Sequence, residues 1–333
     1  MSFLIHLTIA SSAVLTIVLS CILFTNAIEF LGNKLKLGNN ATGSILAVIG
    51  TGLPEFIIPL VAIIGALFTN NEITTAQNVA LGAIIGSPFM LSTLALFLLF
   101  IVAVIKKRKT INLDINFIIR DYKYFLIGYT IAILFTISFL NKFKLLAFAI
   151  LLLLYIVFVY RTIVKSRSTC CECECSDLYF SKIKLNNNIL LFIQLSISLI
   201  LLILSSHIFV EEIKYFSIFL NISPAILALL ITPFATELPE CINSVIWLKQ
   251  GKDDLAFANV IGAIVFQSTL LFSIGILLTP WTFEKPLVVN TILTVLCGIC
   301  FLFSIIKNKK ITLNSLILCG FVYFLYLILL IMK

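Results

Sequence analysis

Ten long apolar segments, joined by short polar connections, constrain this chain more than any other feature of its sequence. A transmembrane helix needs about 17–25 mostly apolar residues. The segments of that length are 7–30, 41–69, 76–105, 124–140, 145–161, 189–210, 223–248, 255–279, 287–306 and 311–332. Only 11% of the 333 residues are charged, against about 25% in soluble domains. The sequence therefore predicts an all-α polytopic membrane protein, and a soluble enzyme is nearly excluded.

The lysines and arginines predict the orientation of these segments. Cytoplasmic loops are enriched in both residues. If the N-terminus lies outside, 18 of the 23 Lys and Arg residues fall in inside loops. We therefore predict that both termini lie outside, that the connector 162–188 is cytoplasmic, and that the cell membrane is the location. The net charge of +8 then reports orientation in the lipid bilayer, and no nucleic-acid partner is expected.

Two motifs occur twice along the chain. GTGLPE at 50–55 corresponds to ATELPE at 235–240, and GAIIGS at 82–87 corresponds to ANVIGA at 258–263. Each pair occupies the second and third spans of a five-span half. Because five is odd, the two halves have opposite orientations, as in transporters built from inverted repeats. We predict a first repeat at 1–161, the connector at 162–188 and a second repeat at 189–333.

Three glutamates lie deep inside predicted spans, at the repeated motifs: Glu55, Glu237 and Glu240. An acidic residue at mid-membrane costs at least about 2.5–3.5 kcal/mol, and no Lys, Arg or His lies within these spans to compensate. Such carboxylates either become protonated or hold a metal ion. The alternative is that they are neutral, hydrogen-bonded acids that stabilise helix packing.

Each motif has a proline immediately before its last glutamate. Proline removes a backbone donor, so the helix should break and leave carbonyls of residues 47–51 and 232–236 without helical partners. Together with the carboxylates and the hydroxyls of Thr51 and Thr236, these carbonyls would form a set of oxygen ligands. Such a set suits a hard cation, above all calcium, which takes 6–8 oxygens.

Small residues in the third and eighth spans predict close helix packing. Gly82 and Gly86 form one small face, and Ala258 and Gly262 form another, and small faces let helices approach closely. Plain packing explains the glycines equally well. A close approach would bring three polar residues beside the broken helices: Ser87, Asn259 and Gln267.

These stretches resemble the two alpha-repeats of the calcium/cation antiporter superfamily, especially its sodium/calcium exchanger branch. The resemblance is carried by LGNNATGSILAVIGTGLPE (37–55), ISPAILALLITPFATELPE (222–240) and INSVIWLKQGKDDLAFANVIGAIVF (242–266). It implies ten spans, export of calcium in exchange for sodium, and alternating access. It also implies a calcium site made by Glu55, Glu240, Thr51 and Thr236.

The chain also departs from the family's motifs. The first repeat keeps Ser87, but its motif serine is replaced by glycine and its asparagines by apolar residues or proline: Gly52, Ala83, Pro88 and Leu91. In the second repeat, Glu237 replaces the motif serine and Asn259 is kept. The later serine and asparagine positions are Ala263 and Ile264, and the final acid or amide is Gln267. The implied calcium ligands are thus retained, while several side chains that hold sodium in the family are absent.

Glu237 is the most informative departure. It lies three residues before Glu240, so the two would share roughly one helix face. Two adjacent carboxylates cannot both be ionised cheaply without a cation, so a proton could replace calcium when it leaves. We therefore hypothesise exchange of calcium, or a similar divalent ion, for protons or for fewer sodium ions. The alternative is that Glu237 points towards a neighbouring helix.

The sequence thus predicts a secondary active antiporter, not an enzyme, with no tightly bound cofactor. Its substrates would be a divalent cation and a sodium or proton counter-ion, and its oligomeric state is left open. Two other readings are a degenerate cation-binding protein that does not transport, and an intramembrane acid-dependent enzyme. A channel is less consistent with the chain because no filter-like sequence occurs.

A cluster of four cysteines lies in the connector, in TCCECECSD: Cys170, Cys171, Cys173 and Cys175. The spacing is not C-x-x-C, and a cytoplasmic location disfavours disulfides. Binding of a soft metal, acylation or a plain solvated loop all fit this cluster.

Overall fold

The structure is a computed structural model. It describes residues 2–52, 55, 73–108, 111, 113–136, 140–167, 177–182, 186–220, 229, 232–279, 281, 283 and 285–331. The cysteine cluster at 170–175 and most of the second predicted span beyond Thr51 lie outside these residues.

The described residues are organised almost entirely as helices, which we label α1 to α11. Three of them are composite, each with a π-helical piece: α2 is Asn39–Ala41, Thr42–Ala47 and Val48–Thr51; α3 is Ile73–Met90, Leu91–Ala95 and Leu96–Ile105; α9 is Asp253–Phe266, Gln267–Leu271 and Phe272–Leu278. The others are α1 Ser2–Lys34, α4 Ile115–Leu134, α5 Lys144–Arg167, α6 Asn187–Phe219, α7 Thr232–Thr236, α8 Leu238–Lys249, α10 Lys285–Asn308 and α11 Leu313–Ile331.

Seven of these helices are long and apolar enough to cross a membrane, within the described part of the chain: α1, α3, α5, α6, α9, α10 and α11. Many large apolar side chains on them are exposed on the outer surface of the bundle, among them Leu145 at 75% and Phe192 at 72%. Such exposure is unfavourable in water and expected in lipid. The chain is therefore an integral membrane protein.

The fourth predicted span, 124–140, was placed too late in the sequence. The helix α4 begins at Ile115, because the Asp114 side chain accepts hydrogen bonds from the backbone N–H groups of Asn116 and Phe117 and caps its first turn. Arg120 and Lys123, which the sequence assigned to a loop, lie inside this helix. The hydropathy of the sequence therefore identified only the apolar C-terminal part of α4, from residue 124 onwards.

The helices α1 and α6 pack against each other and are joined by polar bonds at one end. The Gln194 side-chain N–H₂ donates to the Leu23 carbonyl at 2.9 Å and to Asn26 Oδ1 at 2.8 Å. Asn26 also receives the backbone N–H of Tyr179 at 3.2 Å, and its own N–H₂ donates to the Asp177 carbonyl at 3.1 Å. The end of the connector is thereby fixed against both helices.

Two glycines allow α3 and α9 to cross the segments that precede the repeated proline motifs. A Cβ on Gly262 would lie 2.4 Å from Ser44 Cα, and one on Gly86 would lie 2.7 Å from the Leu229 carbonyl oxygen. The two contacts correspond, because aligning the repeated motifs matches Gly86 with Gly262 and Ser44 with Leu229. The predicted close packing of the small faces is confirmed at these crossings.

The two motif-bearing regions also share a finer local structure. The π-helical pieces Leu91–Ala95 and Gln267–Leu271 occupy matching positions after the small-residue motifs. Both contain Ser-Thr-Leu, and in each the threonine hydroxyl donates to the carbonyl four residues earlier: Thr93 to Phe89 and Thr269 to Val265. Single π-helical turns inside α-helices are rare, so their occurrence at matching positions shows that the two regions share a local structure.

Adding a methyl group at Gly262 should destabilise the protein because Ser44 presents backbone atoms that cannot move aside. We expect Gly262→Ala to lower the free energy of unfolding by about 1–3 kcal/mol, the usual cost of overpacking. Thermal unfolding of the purified protein in detergent, followed by size-exclusion chromatography, measures this change. Gly298→Ala is the matched control, because its Cβ would meet side-chain atoms and no backbone: Leu126 Cδ2 at 2.9 Å, Phe125 Cε1 at 3.1 Å and Tyr122 Cε1 at 3.5 Å. We expect a smaller loss there. Equal losses in both variants would contradict the crossing described above.

Candidate cation site

Three buried carboxylates meet where the broken helices approach each other. Glu55, Glu237 and Glu240 each offer a carboxylate oxygen, and these oxygens all lie within 4.8 Å of one another. Glu237 and Glu240 have no exposed surface, and Glu55 is 4% exposed. The structure therefore brings together the three acids that the sequence placed deep inside the membrane.

The break in the second repeat explains the position of Glu240. The helix α7 ends at Thr236, and α8 begins at Leu238 with Pro239 in its first turn. Proline suits this position because its missing N–H would have no helical partner there. Glu240 also lies in the first turn of α8, where the positive end of the helix dipole favours an anion.

The two threonines at the breaks keep their oxygens available as ligands. The Thr51 hydroxyl donates to the Ala47 carbonyl at 3.0 Å, and the Thr236 hydroxyl donates to the Pro233 carbonyl at 3.2 Å. A hydroxyl that donates its hydrogen within its own helix retains its lone pairs for a cation. Thr51 also lies beside the Glu240 carboxylate.

The prediction of freed backbone carbonyls is wrong for three residues. Ala47 accepts the Thr51 hydroxyl, Val48 accepts the Gly52 N–H at 2.8 Å, and Pro233 accepts the Glu237 N–H at 2.9 Å. The chain closes these turns with side-chain and backbone donors around the prolines. The candidate ligands are consequently side-chain oxygens to a larger extent than the sequence suggested.

Glu237 takes part in the carboxylate cluster and also bonds to the neighbouring helix α9. Its Oε1 accepts a hydrogen bond from the Gln267 side-chain N–H₂ at 2.7 Å, and Ser87 on α3 lies near its carboxylate. The close packing of α3 and α9 thus brings Ser87 and Gln267 to the site, as predicted. Glu237 therefore lies in the cluster and also contacts a neighbouring helix, while its role in coupling stays a prediction.

Asn259 lies at the same site in a supporting position. Its side-chain N–H₂ donates to the Glu240 carbonyl at 3.1 Å and to Ser244 Oγ at 2.9 Å. These bonds fix the start of α8 against α9. The Asn259 Oδ1 atom is buried, and no described residue donates to it.

Several other buried oxygens of the site also have no hydrogen-bond donor among the described residues. Within the described residues, no hydrogen-bond partner exists for Glu55 Oε1, Glu237 Oε2, both Glu240 carboxylate oxygens and Gln267 Oε1. No lysine, arginine or histidine in the described residues forms an ion pair with these glutamates. Buried acceptors without donors are costly, and carboxylate and amide oxygens are the ligands that calcium prefers.

Sequence reasoning did not single out two further polar residues of α8. Asn243 and Ser244 have no exposed surface, and they follow Glu240 by three and four residues, on the same helix face. Their spacing of three and four residues from Glu240 could have identified them. They were not singled out because the repeated motif ends at Glu240. Cys21 of α1 also approaches the site, with Sγ 3.9 Å from the Pro239 carbonyl oxygen.

The fold and the site define a class of protein: a polytopic helical membrane protein with a buried carboxylate cluster beside a proline-containing helix break. Comparison with known families specifies the class further. The model of the family described as "Sodium/calcium exchanger protein" matches residues 5–164 and 190–332, and the chain belongs to this family. Members of this family are transporters rather than enzymes, so the reading as an intramembrane enzyme is set aside.

Two curated relatives resemble parts of the chain. The inner membrane protein YrbG of Escherichia coli (strain K12) is 24% identical over 119 residues, which is 36% of each protein. The putative antiporter CaxA of Alkalimonas amylolytica is 31% identical over 86 residues, 26% of this chain and 27% of the relative. The matched regions thus span about a third of the relatives' length.

Solved structures of a sodium-calcium exchanger, NCX_Mj, share the fold. The crystal soaked with 100 mM Na⁺ and 10 mM Sr²⁺ superposes with a TM-score of 0.73 at 20% identity, covering 97% of this chain and 98% of the exchanger. The crystal soaked with 2.5 mM Na⁺ and 0.1 mM Ca²⁺ gives a TM-score of 0.72 at 20% identity, covering 97% of each chain. At this identity the likeness concerns the fold.

Proposed function

We propose that this protein is a secondary active antiporter that exports calcium, or a similar divalent cation, in exchange for sodium, protons or both. The convergence of three buried carboxylates within 4.8 Å, with no cationic partner among the described residues, carries this proposal. A desolvated cluster of this kind is stable only when a cation or protons neutralise it. The transported cation is the substrate, and the mechanism needs no tightly bound cofactor.

In the proposed mechanism, Glu55 and Glu240 are the main ligands of the divalent cation. The hydroxyls of Thr51 and Thr236 complete its shell at the two helix breaks. Three residues at the edge of the cluster act as secondary ligands: Ser87, Asn259 and Gln267. Asn259 and Gln267 are hydrogen-bonded to residues of the cluster, and Ser87 lies near Glu237.

Glu237 is proposed to modify the coupling. When calcium leaves, a proton on Glu237 Oε2 could be donated to Gln267 Oε1, while the Gln267 N–H₂ already donates to Glu237 Oε1 at 2.7 Å. Both atoms lack a partner among the described residues. An acid–amide pair of this kind would stabilise the protonated carboxyl in the absence of the divalent ion. It would therefore favour protons as the counter-ion, in place of one or more sodium ions.

Alternating access in this proposal uses ten helices arranged as two five-helix inverted repeats, 1–161 and 189–333, with the connector 162–188 between them. The matching crossings at Gly86 and Gly262 and the matching π-helical pieces support this arrangement. We propose further that the protein lies in the cell membrane, with both termini outside and the connector in the cytoplasm.

Calcium flux into proteoliposomes tests the proposed function. We expect purified protein to accumulate calcium when the lumen holds either excess sodium or excess protons, because each counter-ion would leave as calcium enters. The two gradients are imposed separately, and strontium and manganese are compared as alternative divalent ions. A protein that binds calcium but moves none of these ions under either gradient would instead be a non-transporting cation-binding protein.

A further inference from the structure

The region between the carboxylate cluster and the lysine-bearing end of α8 contains a buried amide that the site described above does not use. Asn243 follows Glu240 by three residues on α8, a helix that continues to Lys249. At about 1.5 Å per residue, its Cα lies about 4.5 Å further along the helix, on the same face as Glu240. The position is one helical turn from the cluster towards the proposed inner surface.

Both polar atoms of this amide are buried without a partner among the described residues. Asn243 has no exposed surface, and neither its Nδ2 nor its Oδ1 has a donor or acceptor there. A leucine of similar size would avoid the cost of burying an amide in this way. Because Asn243 combines this burial with a position one helical turn from Glu240 on the same helix, a ligand explains it better than packing does.

The neighbourhood of Asn243 favours a cation as this ligand. The next residue, Ser244, accepts the side-chain N–H₂ of Asn259 at 2.9 Å, and Asn259 Oδ1 has no donor among the described residues. Asn259 is also bonded to the Glu240 backbone carbonyl, and Asn243 lies one helical turn beyond Glu240 on the adjoining helix. Amide oxygens are ordinary ligands of calcium, and they attract a divalent ion without holding it as strongly as a carboxylate.

The first repeat does not provide an equivalent residue. When the two proline–glutamate pairs are aligned, Asn243 corresponds to Ile58. If the repeats are inverted, Asn243 belongs to the inner half of the pathway and Ile58 to the outer half. The pathway is then asymmetric, with an additional polar ligand only on the inner side.

We propose that Asn243 is a transient ligand that receives the divalent cation from the inner side and passes it to Glu240. This inference rests on the proposed transport function and assigns a sided role to a residue outside the repeated motif. A ligand on the inner half of the pathway raises the probability that a cytoplasmic calcium ion reaches the cluster. Such a ligand does not change the apparent affinity for calcium ions that enter from the outside.

The test compares calcium transport from the two faces in membrane vesicles of opposite orientation. In inside-out vesicles the inner face meets the added calcium, and in right-side-out vesicles the outer face does. We expect Asn243→Leu to raise the half-saturating calcium concentration about tenfold at the inner face and less than about twofold at the outer face. Asn243→Asp, which keeps an oxygen ligand, should restore the value at the inner face.

Asn290→Leu is the matched control, because Asn290 on α10 is also fully buried with both amide atoms unpartnered among the described residues. It lies outside the carboxylate cluster and should change neither face. Equal effects of Asn243→Leu on both faces, or no effect, would overturn the inference. If Asn243→Leu does not reach the membrane, Asn243→Asp and Asn243→Ala provide the same comparison. Absence of flux in the unaltered protein would instead refute the proposed function.

Discussion

Glu240→Gln should reduce calcium transport at least about 100-fold. The substitution keeps the size of the side chain and removes one of the two carboxylate charges that are proposed as the main ligands of the divalent ion. Removing one partner of a buried charge interaction typically costs about 3–5 kcal/mol, and about 2.7 kcal/mol corresponds to 100-fold in affinity. Counter-ion-driven calcium uptake into proteoliposomes measures the loss.

A binding measurement separates this loss from misfolding. Calcium should raise the thermal unfolding midpoint of the unaltered protein, since a ligand at 100 times its Kd stabilises the folded state by about 2.7 kcal/mol. The midpoint of Glu240→Gln without calcium should be equal or higher, because a neutral amide relieves repulsion in the cluster. Calcium should then have almost no effect on it.

Glu212→Gln is the matched control for this prediction. Glu212 is also buried, at 9% exposure, but it bonds to His6 Nδ1 at 2.8 Å, outside the carboxylate cluster. The Glu212→Gln variant should transport calcium at a rate within about twofold of that of the unaltered protein. If Glu240→Gln transported calcium at half the normal rate or more, Glu240 would not be a main ligand.

Sequence reasoning located the acids of the site because the membrane makes them conspicuous. A glutamate is tolerated at mid-membrane only with a compensating partner, so Glu55, Glu237 and Glu240 stood out without any structure. Their convergence followed from the repeated proline motifs and from the small residues that let helices cross. Gly86 and Gly262 make those crossings, and they are visible in the sequence because glycine has no side chain to obstruct contact.

Other features could not be predicted because they depend on the particular partner of a polar group. The start of α4 at Ile115 depends on capping by Asp114, which hydropathy does not detect. The bond between Gln267 and Glu237 depends on the packing of two helices that are distant in sequence. Asn243 appeared in the sequence as an ordinary polar residue near a helix end, and only its burial without a partner made it informative.

The ligand roles assigned to the site residues remain predictions, and Glu237 is the residue on which the counter-ion depends. Replacing it with serine restores the residue that the family's motif carries at this position. Serine cannot release a proton under physiological conditions, and it is too short to form the acid–amide pair with Gln267. We therefore expect Glu237→Ser to reduce proton-driven calcium uptake about tenfold or more while sodium-driven uptake stays within about threefold.

The direction of the pH effect follows from competition between protons and calcium at this carboxyl. In the unaltered protein, the half-saturating calcium concentration should fall as the pH rises, because fewer protons occupy the cluster. In Glu237→Ser this dependence should be weaker. Uptake is measured at several pH values with sodium equal on both sides, and then with a sodium gradient at constant pH.

Glu237→Gln distinguishes the proton from the size of the side chain. Glutamine fills the same space and can still bond to Gln267, but it cannot exchange a proton with the cluster. If the proton is what matters, Glu237→Gln should lose proton-driven uptake as Glu237→Ser does. If Glu237→Ser leaves the proton dependence unchanged, Glu237 serves helix packing instead, and the counter-ion is determined elsewhere in the site.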